Sequence, residues 1–203
     1  MITATLDIRR DVAARIAKLG IEEGKKLAKA ETRALNRTID QLRTEAGREI
    51  RKEYKVTLRG IRQAATIRYA AAGQRFQFAE LTFKGRPINL REFGARAINP
   101  WNVKGRSHNR RGGGVSVQVK VAGGRKLIAG AFLATIKSGQ NAGKRGVFRR
   151  SGPESRAQIK FLPSLSLPEM AERKAISAAL LKFAGERFRL NFEQQVRFLS
   201  SNG

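Results

Sequence analysis

Cysteine is absent from this chain, and with it go disulfides, thiolate metal sites and cysteine nucleophiles. Histidine occurs once, at His108, and aspartate only at Asp7, Asp11 and Asp40. One histidine cannot complete a zinc site or a nucleophile-base-acid set, and so few aspartates leave little for carboxylate-metal chemistry. His108 is flanked by Arg106, Arg110 and Arg111, and reads as a member of a cationic loop, not as a general base. Residues 139–145, Gly-Gln-Asn-Ala-Gly-Lys-Arg, imitate a phosphate-binding loop. The spacing is one residue short, and Arg145 stands where a magnesium-binding hydroxyl is needed. No catalysis, metal or cofactor is expected. Long hydrophobic runs are also missing: the longest, residues 127–136, is about half of a membrane-spanning helix. Charge is reached at Asp7 before any hydrophobic region forms, so no secretory signal is expected, and the chain reads as soluble and made in a cytoplasm.

Negative charge is scarce in one region above all. The chain carries 42 Lys and Arg against 16 Asp and Glu, a net charge of +26. Residues 1–53 hold 13 cations and 9 carboxylates, residues 168–203 hold 6 and 4, and residues 54–167 hold 23 and 3. Three carboxylates cannot neutralise that middle stretch, so a polyanion is its expected neighbour.

What is present has the pattern of an α+β protein. With 203 residues, 41% of them hydrophobic, the chain can bury one core, and a single domain over 1–203 is the simplest reading. Ile2, Ala4, Leu6 and Ile8 alternate as in a strand. Val12, Ile16 and Leu19, and then Leu35, Ile39, Leu42, Ala46 and Ile50, follow helical spacing; a bend or break is expected at Gly20 and Gly24, and the helix is expected to end near Glu53. Thr57 suits the N-cap of a short helix with Leu58, Ile61 and Ala65. Residues 66–71 and 75–84 read as strands joined at Gly73-Gln74, with a slip at Ala79-Glu80. Val115, Val117, Val119 and Val121 alternate cleanly, and Gly123-Gly124 turns the chain into a second strand over 126–136. Val147-Phe148 and Ile159–Phe161 add short strands, and one antiparallel sheet joins them economically. Residues 100–114 and 138–146 are polar, glycine-rich and basic, and read as long loops suited to phosphate contact. Pro163 and Pro168 frame a connector, and Pro168 opens a final helix through Ile176, Leu180, Phe183, Ala184, Phe188, Phe192, Val196 and Leu199. The expected architecture is an antiparallel sheet region (54–167) between a strand plus long helix (1–53) and a C-terminal helix (168–203), with long basic loops.

The run Ala34-Leu35-Asn36-Arg37-Thr38 with Arg43, Ala46, Arg48, Glu49 and Ile50 resembles the tailed-phage minor tail protein Z family, the tail completion proteins. So do Arg125-Lys126-Leu127-Ile128-Ala129-Gly130-Ala131-Phe132, then Val147-Phe148-Arg149-Arg150, and finally residues 159–170 with their Pro-Ser-Leu-Ser-Leu-Pro lead into the last helix. The stretch around His108 lies outside the resemblance, so its role rests on charge. The resemblance implies a virion structural protein at the head-proximal end of the tail, forming a six-fold ring around the DNA channel. It implies the tail terminator and head-connector proteins as neighbours, in the tail or neck of a virion assembled in the host cytoplasm. On that expectation Lys104, Arg106, Arg110, Arg111, Arg125, Lys126, Lys144, Arg145, Arg149 and Arg150 are candidates to face double-stranded DNA by sequence-blind phosphate contact. Leu180, Phe183, Phe188 and Phe192 are candidates for subunit contact, because one small sheet cannot cover so long an apolar helix. A free sequence-independent nucleic-acid-binding protein shares the charge but not the apolar final helix. A nuclease would need the carboxylates that the chain lacks.

Overall fold

The structure is a computed structural model in which residues 2–5, 21–71, 77–98, 113–137, 142–152 and 158–201 are described. It is α+β and divides into two compact units, one made of Met1–Ile50, Leu58–Gly85 and Pro168–Gly203, the other of Arg51–Thr57 and Arg86–Leu167. The helical spacing at Val12, Ile16 and Leu19 and the turn at Gly73-Gln74 lie outside the described residues.

The first unit rests on two long helices. Helix α1 (Ile21–Glu53) buries Ala30, Ala34, Leu35, Ile39, Leu42, Ala46 and Ile50, a three-and-four spacing that makes one stripe. It ends at Glu53 as expected but runs unbroken through Gly24. One glycine costs a helix about 1 kcal/mol, too little to interrupt thirty-three residues held elsewhere by a buried stripe. Helix α4 (Lys174–Ser201) buries Ile176, Leu180, Ala184, Phe188 and Phe192 at intervals of four. The two run antiparallel: Arg37 donates to Gln194 at 3.1 Å, while one turn on, Asn191 donates to Thr38 at 3.0 Å and to Gln41 at 3.1 Å. Asn191 and Thr38 are buried, so their mutual bond removes a desolvation cost and fixes the helix register.

A different side of α1 holds the sheet. Asn36 brackets the backbone of Ala70, accepting from its N–H at 2.7 Å and donating to its carbonyl at 3.1 Å. Arg43 donates to the carbonyl of Arg62 in α2 (Leu58–Ala64) at 3.1 Å. Strand β3 (Glu80–Phe83) lies between β1 (Ile2–Thr5) and β2 (Ala65–Arg68), all antiparallel, with Ile2 and Ala65 both opposite Phe83. Leu81, Thr82 and Phe83 are all buried, so both faces of this central strand are covered. The final helix, expected whole from Pro168, is divided into a short α3 (Leu167–Ala171) and α4, with a turn at Glu172 and Arg173.

The single sheet expected over 54–167 is divided: β2 and β3 pair with β1 in the first unit, and the second unit holds two three-stranded antiparallel sheets, β4 (Arg96–Ile98), β5 (Gly114–Val117) and β6 (Lys126–Ala129), then β7 (Ala131–Thr135), β8 (Arg145–Arg150) and β9 (Ile159–Phe161). The apolar run 127–136 is therefore cut in two. Gly130 makes the cut, with φ 68, a left-handed conformation open to glycine at little cost. The valine alternation is also shared out. Beyond Val117 the chain leaves β6 for the end of α1: Lys55 N–H donates to Val119 O at 2.8 Å, and Val121 N–H to Glu53 O at 2.9 Å. Val115, Val117, Val147, Phe148, Tyr54, Leu90 and Phe93 are among the buried side chains of this unit's interior.

Burial pushes the Glu31 carboxyl in α1 above its ordinary range. The folded chain thus holds that proton more tightly than the unfolded one, so Glu31 costs stability above the ordinary carboxyl range and costs nothing below it. Glu31→Gln is expected to raise the melting temperature at neutral pH, with the gain vanishing as pH falls below about 4. A gain that persists in acid would assign the effect to packing, not to charge.

Candidate nucleic-acid interface

The cations of the second unit differ in what their side chains already hold. Arg125 follows the hairpin turn and is exposed by area, yet its guanidinium is engaged. Its Nε donates to Ser116 Oγ at 3.1 Å, and its Nη2 donates to the carbonyls of Ser116 at 2.7 Å and Gly94 at 2.5 Å. Gly94 ends a 3-10 helix (Leu90–Phe93) whose start is capped by Asn89, which accepts from Arg91 N–H at 3.0 Å. Arg125 therefore ties β5 to that turn. Lys120 is held by Glu53 at 3.3 Å, and Lys55 by the side-chain oxygen of Gln118 at 3.2 Å.

Other candidates are presented outward. Lys126 opens β6, opposite Val117, and is exposed. Lys144 and Arg145 are exposed where β8 begins, and the 144 carbonyl accepts from Ile136 N–H at 3.0 Å. Arg145 is anchored through its backbone, whose carbonyl accepts from Asn89 Nδ2 at 2.6 Å, leaving its side chain to solvent. Alternation along β8 puts Arg145 and Arg149 on one face and Arg150, half-buried, on the other. Lys160 lies directly across from Arg149 and joins that cationic face. Sequence reasoning passed over Lys160, although its place between Ile159 and Phe161 in a short strand was the signal. Lys104, Arg106, His108, Arg110 and Arg111 lie outside the described residues.

Opposing charge is thin. The described carboxylates of this unit are Glu53 and Glu92, and Glu53 is already paired. Among the described residues no cluster of His, Asp or Glu could hold a metal ion, and no helix is long and apolar enough to cross a membrane. Of the four apolar candidates on the last helix, Leu180, Phe188 and Phe192 are buried within the chain, the two phenylalanines stacked at 5.7 Å. Phe183 keeps part of its surface beneath the guanidinium of Arg187, at 5.4 Å, and Leu181, Leu190 and Phe198 are exposed.

A sequence profile of the prophage minor tail protein Z (GPZ) family matches residues 15–197, nearly the whole chain. The chain belongs to that family. No curated protein and no solved structure matches it. Family membership makes it a phage minor tail protein, a structural component of a virion, and the basic unit has to be read in that setting.

The contrast between Arg125 and its neighbour Lys126 is testable. Arg125→Met removes three bonds and leaves two carbonyls short of a donor, so it is expected to cost about 1.5–3 kcal/mol. Lys126→Met, one residue on, is expected to stay within about 0.5 kcal/mol of the parent. Amide hydrogen exchange in β4 to β6 measures both; equal losses would remove the distinction.

Proposed function

We propose that this minor tail protein is a tail-completion component at the head-proximal end of the tail. On this reading copies of the chain form a six-fold ring around the DNA channel, between the tail terminator and the head connector. The observation that carries the reading is the uncompensated charge of residues 54–167, with 23 cations to 3 carboxylates. Duplex DNA presents a negative charge about every 1.7 Å along its axis, and non-specific attraction to its phosphates holds it without regard to sequence and lets it slide. Such attraction suits DNA that must later leave through the channel.

The DNA-facing set is Lys126, Lys144, Arg145, Arg149 and Arg150 with Lys104, Arg106, Arg110 and Arg111, while Arg125 braces the sheet behind them. Subunit contact falls to the outward residues of α4, Phe183 among them, with Leu180, Phe188 and Phe192 as the buried support. The role is structural and needs no catalytic centre, metal or cofactor.

Binding of the purified protein to a mixed-sequence duplex, followed by fluorescence anisotropy as salt is raised, tests the reading. The log-log slope is expected to be steep, with about 0.9 lost for each phosphate contact removed. Neutralising Lys126, Lys144 and Arg145 to Gln, with Arg149 kept native, is expected to shallow the slope by about 2 to 3. A flat salt dependence, or a slope unchanged in that variant, would assign the charge to an acidic protein surface instead.

A further inference from the structure

The sheet β7-β8-β9 ends on an edge that the described chain leaves open. β9 pairs with β8 alone, Phe161 opposite Phe148, Lys160 opposite Arg149 and Ile159 opposite Arg150. Ser151 N–H donates to Gln158 O, and Leu162 N–H to Val147 O, each at 2.9 Å. Inward-bonded residues alternate along an antiparallel pair, so 158, 160 and 162 turn their backbone toward β8. Ile159 and Phe161 turn theirs to the outside. Among the described residues nothing bonds those outward amides and carbonyls.

The side chains sort by the same period of two. Phe161 lies with Phe148 at 5.6 Å, and Phe148 with Phe132 at 6.2 Å, in an aromatic row across all three strands. The Phe161 ring rests on Gly146, where an added Cβ would come within 2.7 Å of it. Ile159 shares this face, and it and Phe161 remain 49% and 43% exposed. Lys160 occupies the opposite face, across from Arg149, where two like charges destabilise a strand pair. No described carboxylate meets either one.

We propose that the β9 edge receives an extended segment of another protein in which apolar and acidic residues alternate, added to the sheet as a further strand. Three features specify this one occupant. The outward backbone of Ile159 and Phe161 supplies ladder bonds, their side chains favour apolar residues on one face, and Lys160 backed by Arg149 favours a carboxylate on the other. A phosphate backbone would satisfy Lys160 but leave Ile159 and Phe161 in water. A second copy of the basic unit would bring more cations against Lys160. The inference goes beyond the DNA reading; the two share Arg149, but the variants that test this one fall on Ile159 and Lys160, which lie outside the DNA-facing set.

The test uses the full chain and a short peptide alternating valine and glutamate, compared with a peptide of the same composition in which the two do not alternate. The alternating peptide is expected to bind and to slow amide exchange at Ile159 and Phe161. Ile159→Pro removes an outward N–H that β8 does not use, and is expected to weaken binding about tenfold. Lys160→Glu is expected to weaken it about three- to fivefold. Equal binding of the two peptides, unchanged binding in Ile159→Pro, or protection of these amides by duplex DNA but not by peptide would each overturn the proposal.

Discussion

Repulsion among cations that the chain cannot neutralise is the constraint to which the second unit is fitted. Its described carboxylates are Glu53 and Glu92, so most of its lysines and arginines have no acid to meet. A few are drawn into neutral acceptors: Arg125 takes two carbonyls and a hydroxyl, and Lys55 takes a side-chain amide oxygen. Bonds from a charged donor to a neutral acceptor are stronger than neutral ones, so these residues contribute stability while their charge stays in place. Lys126, Arg145 and Arg149 face solvent. What holds the unit against its own charge is backbone pairing in two small sheets around Val115, Val117, Val147, Phe93 and Tyr54.

The first unit is built differently, and this is why its structure was the more legible. Leu35, Ile39, Leu42, Ala46 and Ile50 state a helix and its buried face in their spacing alone, and the helix ends where Glu53 was expected to end it. The short helix Leu58–Ala64 and the strand at Ile2–Thr5 were similarly local signals. Strand partners were not legible, because periodicity of two says which face is buried but not which neighbour supplies the bonds. Val115 to Val121 looks continuous, yet half of it pairs with β6 and half with the end of α1. Gly130, an ordinary residue in an apolar run, turned out to be the corner between two sheets. The 3-10 helix at Leu90–Phe93 and the strand Arg96–Ile98 are too short to carry a period at all.

The candidate interface was legible as charge and illegible as geometry. Composition marked residues 54–167 without distinguishing Arg125 from Lys126, which are adjacent in sequence and opposite in circumstance. The distinction depends on where the Gly94 and Ser116 carbonyls lie, which only the fold determines. The apolar stripe of the last helix shows the same limit: helical spacing marked Leu180, Phe188 and Phe192 for burial, but not whether another subunit or the chain itself would bury them. Their burial within one chain shifts attention to residues off the stripe.

Among the described cations of the second unit three circumstances stand out, and each suits a different neighbour. Those bonded inside, such as Arg125 and Lys120, serve the fold. Exposed ones such as Lys126 and Arg145 suit a partner that stays hydrated, since surface attraction is screened by salt and holds no single geometry. Lys160 stands apart because exposed apolar side chains and an open strand edge lie beside it, and a partner there must bury carbon as well as charge. Backbone pairing is directional and apolar burial resists salt, while attraction to phosphates is neither directional nor resistant to salt. On the tail-completion reading, a single basic unit thus has separate means of holding a protein neighbour in register and of holding DNA loosely enough to pass.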